Sequence, residues 1–186
     1  MRKNFLIVVF ILLQFVACKS GIDPETYTSY QNKGDEVTNI AQATLLSNVG
    51  AAIQKGGPQY AVEFCNLKAS GITDSLSQQY KCNISRISAK NRNPNNKLKT
   101  TAELTLWETF SNHPVKDTLL ASGGKYIYYK RINTAMPACL KCHGTPEKDI
   151  DAATLEKLNL LYPEDLATGY QLNDFRGLWK VEFPKE

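Results

Sequence analysis

At 186 residues and a net charge of +4, the chain is long enough for one domain with a substantial core and too short for two ordinary ones. Its positive residues are scattered and often sit beside acids, which argues against a nucleic-acid surface.

The first segment reads as an export signal. Met1-Arg2-Lys3 is a short basic region, and Phe5 to Val16 is a nearly unbroken apolar run, shorter than a comfortable membrane span and suited to a signal peptide. The run stops at Phe15-Val16-Ala17-Cys18, a small residue directly before a cysteine, which is the order of a bacterial lipobox. Phe15 stands where leucine is usual. The expectation is a lipoprotein signal over residues 1–17 and a lipidated Cys18 tethering the chain to a membrane in the periplasm or outer cell envelope of a bacterium. Ordinary cleavage near Ala17, or an uncleaved anchor, would also place the domain outside the cytoplasm.

Residues 18–28 read as a polar tether, although Asp23-Pro24-Glu25 also carries the cap, first-turn proline and early acid of a helix start. The single domain is expected over 29–186. Val37, Ile40, Ala41, Thr44, Leu45, Asn48 and Ala52 recur at intervals of three and four and mark one apolar helix face. Gly56-Gly57-Pro58 ends that helix and begins another, whose stripe is Ala61, Cys65, Ala69, Ile72 and Leu76 and which stops near Tyr80. Alternation over 83–88 predicts a short strand, followed by the turn-rich Asn91-Arg92-Asn93-Pro94-Asn95-Asn96. A short helix is expected over 101–110, a β-rich segment over 125–132 after Gly123-Gly124, a helix over 152–160 and a final strand over 177–183. Helices first, then short strands mixed with helices, predict an α+β fold with an antiparallel sheet.

Between these elements, in a segment expected to be a loop, stands Cys139-Leu140-Lys141-Cys142-His143. Two thiols at this spacing can form thioethers with the vinyl groups of one haem, and the adjacent imidazole then becomes the proximal iron ligand. The motif therefore predicts one covalently attached haem c, held by Cys139 and Cys142, with His143 on the iron. The bland alternatives are a thioredoxin-like redox pair, a disulfide or half of a zinc site. Zinc normally takes a second Cys or His pair at ligand spacing, and the sequence has none. Haem attachment of this kind occurs beyond the bacterial inner membrane, which the export signal satisfies.

Four separated segments, in order, carry a family resemblance. They are Ala61-Val62-Glu63-Phe64-Cys65-Asn66; Ile84-Ser85-Arg86-Ile87-Ser88 with Asn91-Arg92-Asn93-Pro94-Asn95-Asn96; Cys139-Leu140-Lys141-Cys142-His143-Gly144; and Tyr162-Pro163-Glu164-Asp165-Leu166-Ala167-Thr168-Gly169-Tyr170 with Arg176-Gly177-Leu178-Trp179. With them the chain resembles mono-haem c-type domains of PAS-like fold that occur as stand-alone periplasmic proteins and as extracytoplasmic portions of sensors. The resemblance implies a PAS-like antiparallel sheet preceded by long N-terminal helices, with the haem packed against it and a cysteine thiolate opposite the histidine.

Cys65, on the apolar stripe of a helix, is the candidate for that distal ligand, since ferric iron stabilises a buried thiolate. A small buried hydrophobe, or a Cys65–Cys82 disulfide in an oxidising compartment, are the alternatives. His113 and Met136 are rival ligands. His113-Pro114 follows a helix end, and Met136 lies close to the proximal motif. Arg86, Lys90 and Arg92 are candidates to pair with haem propionates, or else basic groups on a solvated strand and loop. Trp107, Tyr126, Tyr128 and Trp179 could wall a haem pocket or belong to ordinary core, and Arg176-Gly177 leads into the last strand.

These readings predict a membrane-tethered extracytoplasmic haem protein that senses redox state or a gas at a His/Cys-ligated iron. No kinase or cyclase portion follows in the sequence, so such a sensor would report to a separate signalling or redox protein. A periplasmic electron carrier is the first alternative. A peroxidase-like enzyme is the second, with only His113 left for acid-base work, so the chain is expected not to be an enzyme. A binding module without redox chemistry is the remaining class. Pairing of two chains through their N-terminal helices is a further expectation, and nucleic acid is not an expected partner.

Overall fold

The computed structural model describes residues 21–185; the expected signal peptide and Cys18 lie outside the described residues. Asp23 accepts the backbone N–H of Thr26, and Pro24 supplies a preset first turn. Helix α1 (Pro24–Gln79) therefore starts inside the stretch expected as a tether. Its two expected helices run on as two arms joined by a kink. Gly56 and Gly57 leave helical geometry there, Gly57 at φ 77°, a value that glycine adopts without steric penalty, and Pro58 lacks the N–H to continue the ladder.

Beyond α1 the order is β1 (Asn83–Ile87), a 3₁₀ turn (Pro94–Asn96), α2 (Thr101–Asn112), β2 (Asp117–Ser122), β3 (Lys125–Asn133), α3 (Pro137–His143), α4 (Ala152–Leu161) and β4 (Phe175–Pro184). Thr100 and Glu103 form a reciprocal capping box that starts α2. The strands form one antiparallel sheet in the order β1-β4-β3-β2, so the last strand lies between the first and third. The fold is thus α+β. Two elements differ from expectation. β2 is an added edge strand, and the cysteine motif lies on the helix α3, because Pro137 at its first turn presets helical φ.

Both faces of the sheet are covered. Trp179, Val181 and Phe183 of β4 join Ile84, Leu119 and Tyr128 against Val37, Ala41, Leu45 and Ala69 of α1. The alternate residue Leu178 packs with Ile87, Tyr129 and Phe110 of α2 on the other side. Gly34 lets α1 approach the sheet, for a Cβ there would stand 2.3 Å from the Tyr128 ring. Polar ties reinforce these layers: Lys130 reaches Asp35 at 2.8 Å, and Lys180 reaches the buried Glu103 and Glu182, each at 3.0 Å. Burial alone would raise the Glu182 pKa, but hydrogen bonds from Lys180, Asn83 and Lys125 outweigh it and bring it from 4.5 down to about 2.

Gly34→Ala is expected to destabilise the fold by about 1–3 kcal/mol, because the helix must retreat from the sheet; urea unfolding would show a lower midpoint at unchanged slope. Glu182 contributes stability above its unfolded pKa and loses it as pH falls through the folded value. Unfolding free energy should therefore fall by roughly 3 kcal/mol between about pH 4.5 and pH 2 on this account, and Glu182→Gln should flatten that limb of the pH curve.

Candidate functional site

A cavity of about 280 Å³ lies between α1, the sheet and α3, close to the lower end of the range of about 300–1,000 Å³ typical of small-molecule sites. Residues from both sides of the kink line it, Val49, Gly50 and Ile53 from one arm of α1 and Ala61, Val62 and Cys65 from the other. Ile87, Gly177 and Trp179 supply the sheet wall, and Cys139, Cys142 and His143 face it from α3. Positions i, i+3 and i+4 share one face of a helix, so the seven residues of α3 are enough to present both thiols and the imidazole together.

The ring of His143 is fixed from behind. Its Nδ1 donates to the carbonyl of Ala167 at 2.8 Å, which leaves Nε2 as the nitrogen with a free lone pair. Burial, together with the positive charges of Arg92 and Arg176, holds its pKa well below the usual 6.5 despite that hydrogen bond, so the imidazole is neutral at physiological pH. The Ala167 carbonyl belongs to the segment 162–170, whose amides at Gly169 and Tyr170 bond back to the carbonyls of Gly144 (2.8 Å) and His143 (2.9 Å).

Arg92 ties the same parts together. It forms an ion pair with Asp165 at 2.9 Å, with both side chains largely buried, and its Nη2 donates to the carbonyls of Cys142 (2.6 Å) and Ala167 (3.3 Å). Arg86 sits over the Trp179 ring in the cavity wall. Lys90 instead lies outside the lining, donating to the Thr168 carbonyl at 2.9 Å.

Burial pushes the Cys142 thiol up to about 11 and raises that of Cys65, against which Arg86 and Arg92 act. Cys65 is a free thiol. A disulfide to Cys82 is ruled out by the helix between them, since the 14 residues from Cys65 to Gln79 rise about 21 Å, far beyond the Cα spacing of about 4.4–6.8 Å that a disulfide spans. Met136 lines the cavity at its exposed rim, whereas exposed His113 ends α2 away from the lining. Of the aromatics, Trp179 reaches the cavity; Trp107 packs on Phe175 under α2, and Tyr126 on Tyr30 of α1.

Sequence reasoning passed over the Ala167 carbonyl, the Tyr170 hydroxyl and Arg176 as site groups. The Nε of Arg176 and the hydroxyl of Tyr170 are buried without a hydrogen-bond partner among the described residues. Such atoms call for a polar partner, whether an ordered water or a ligand. With two thiols and an imidazole on one helix face, a third thiol across the cavity and unmet buried donors, the residues present fit a haem. Among the described residues no group of three or more His, Cys, Asp or Glu is placed to hold a bare metal ion, and no helix is long and apolar enough to cross a membrane.

This helix-covered antiparallel sheet with a thiol and imidazole cavity at its end defines the class. The sequence model of the Tll0287-like family matches residues 19–184, and the chain belongs to that family. A solved structure described as that of the cyanobacterial heme-protein Tll0287 superimposes with a TM-score of 0.58 at 18% identity, over 82% of this chain and 96% of that one. No curated protein matches the sequence.

Removing the acid of the buried ion pair leaves Arg92 uncompensated beside α3. Asp165→Ala should cost about 3–5 kcal/mol of stability, while Leu166→Ala next to it, at an exposed side chain, should stay within about 0.5 kcal/mol; thermal unfolding of both variants checks the contrast.

Proposed function

We propose that the chain is an extracytoplasmic mono-haem c-type protein, lipid-anchored through Cys18, that senses redox state or a small gas at an iron held by His143 and Cys65. The observation that carries this reading is a single cavity lined by Cys65 of α1 and by Cys139, Cys142 and His143 of α3. Membership of the Tll0287-like family, and likeness in fold to a protein described as a heme-protein, support it. The PAS-like character of the sheet belongs to the same reading, supported by its order β1-β4-β3-β2 after a long helix and by the sheet residues in the cavity wall.

Bound there, the haem would supply a one-electron couple and an iron position able to take a diatomic gas. The protein's part is to bind and tune. Cys139 and Cys142 offer thiols from one helix face for the two covalent links. His143 arrives neutral and aimed, its tautomer set by the Ala167 carbonyl. Cys65 offers a sulfur that is anionic only once its proton leaves, a change its surroundings resist until a cation is bound. An anionic thiolate favours the ferric state and lowers the potential, so retention or loss of Cys65 is the event that couples redox state to conformation.

An electron-carrying role is the second reading, and one observation favours it. Leu46 and Met136, 37% and 40% exposed, line the cavity at the surface and would leave an accessible apolar edge. Catalysis is not part of the proposal, for His113 lies away from the cavity lining.

Protein produced with a c-haem maturation system should carry the mass of one haem and show a low-spin ferric absorption spectrum. Its ferrous form should bind carbon monoxide if it is a sensor and should refuse it if it is a carrier. Cys65→Ala should change the ferric spectrum and raise the midpoint potential by on the order of 100 mV. Absence of the haem mass would end the reading, and an unchanged spectrum would take Cys65 off the iron.

A further inference from the structure

Three guanidinium groups border the cavity, those of Arg86, Arg92 and Arg176, and they are not equivalent. Arg92 is neutralised by Asp165 and spends its donors on that carboxylate and on two carbonyls. Arg86 stacks 5.7 Å from the centre of the Trp179 ring and, among the described residues, makes no hydrogen bond or ion pair. Arg176 gives its Nη1 to the Ser88 hydroxyl and the Lys90 carbonyl, both at 3.1 Å, and stacks over Tyr170 at 5.4 Å. Those acceptors are neutral, and its Nε remains buried without one.

The Tyr170 hydroxyl is buried in the same place, beside Ser88 and Arg176 and just behind the cavity lining. Asp165 is near enough to act on Arg176 and is already paired with Arg92. The corner thus holds two guanidinium charges without a paired carboxylate, a buried Arg176 Nε without an acceptor and a buried tyrosine hydroxyl beside it. A neutral ligand could accept hydrogen bonds here but would leave both charges uncompensated; a ligand with two carboxylates satisfies both, in the fork geometry that guanidinium and carboxylate share.

We infer that Arg86, Arg176 and the Tyr170 hydroxyl form a dicarboxylate-recognition corner that takes the two propionates of the tetrapyrrole, and that Arg92 is a positioning residue for α3. This rests on the haem reading above and adds a direction to it. Propionates held there would fix one edge of the ring, while Cys139 and Cys142 would take the vinyl groups. Of the two arginines singled out from sequence for the propionates, Arg86 keeps that role and Arg92 passes it to Arg176.

The test is resonance Raman spectroscopy of full-length haem-loaded protein, reading the propionate bending modes. Arg86→Gln, Arg176→Gln and Tyr170→Phe should each shift those modes to lower frequency. Arg92→Gln should leave them in place and instead shift the iron–histidine stretch of the five-coordinate ferrous form. Modes unchanged in the first three variants, or moved equally by Arg92→Gln, overturn the assignment while leaving a haem protein intact. Should the arginine variants fail to load haem, Tyr170→Phe, which removes one oxygen, decides by the same readout. A wild-type chain with no attached haem overturns both this inference and the reading beneath it.

Discussion

The carbonyl oxygen of Ala167 is the point on which the site is built. It accepts from His143 Nδ1 at 2.8 Å and from Arg92 Nη2 at 3.3 Å, so one backbone atom sets the imidazole tautomer and meets the guanidinium that also holds the Cys142 carbonyl. A seven-residue helix has little stability of its own. What keeps α3 in place is this set of buried bonds from outside it: Arg92 from the loop after β1, and the returning segment 162–170, which binds the His143 and Gly144 carbonyls that the helix end leaves open. The orientation of the imidazole is thereby a property of three chain segments and not of α3 alone.

The opposite wall depends on the kink in α1. A straight helix offers a flat stripe, and a stripe packed on a sheet closes against it. Gly57 at φ 77° followed by Pro58 breaks the ladder and redirects the axis, so that Val49, Gly50 and Ile53 on one side and Ala61 and Cys65 on the other border one space. The redirected arm is then held by α4, where Val62 packs with Leu158, Ile150 and Tyr162, and Lys157 pairs with Glu63 at 2.5 Å. Cys65 reaches the cavity because the chain is bent nine residues before it.

These features differ in how plainly they were written in the residues. Signals that act within one turn were legible: Asp23-Pro24-Glu25 as a helix start within the expected tether, Gly56-Gly57-Pro58 as a break, and the alternation over 83–88 as a strand, observed over 83–87. β2 escaped because it is an edge strand with only Leu119 buried, and a single apolar residue makes no alternation. The sequence predicts a loop for the cysteine motif although its spacing is itself a helical period, since seven residues fall below the length at which periodicity identifies a helix. In the site, thiols and imidazole announce their chemistry by residue type. A backbone carbonyl does not, and Ala167 could be any residue. The sequence singles out Arg92 and not Arg176 for the propionates, and only the tertiary partner Asp165, 73 residues from Arg92, shows which of the two cations is already neutralised.

One cause, removal from water, acts on the Cys65 thiol and the His143 imidazole with opposite sign in pKa and the same result in charge. It raises Cys65 and lowers His143, so each prefers its neutral form. For the imidazole this is the ligand-ready state, with its lone pair on Nε2. For the thiol it is not, and the difference makes the two walls unequal: histidine can engage iron without releasing a proton, whereas cysteine must lose one. Arg86 and Arg92 pull the thiol in the other direction, toward its anion. Of the two, Arg86 has no paired carboxylate, so its charge acts on Cys65 uncompensated, whereas that of Arg92 is offset by Asp165.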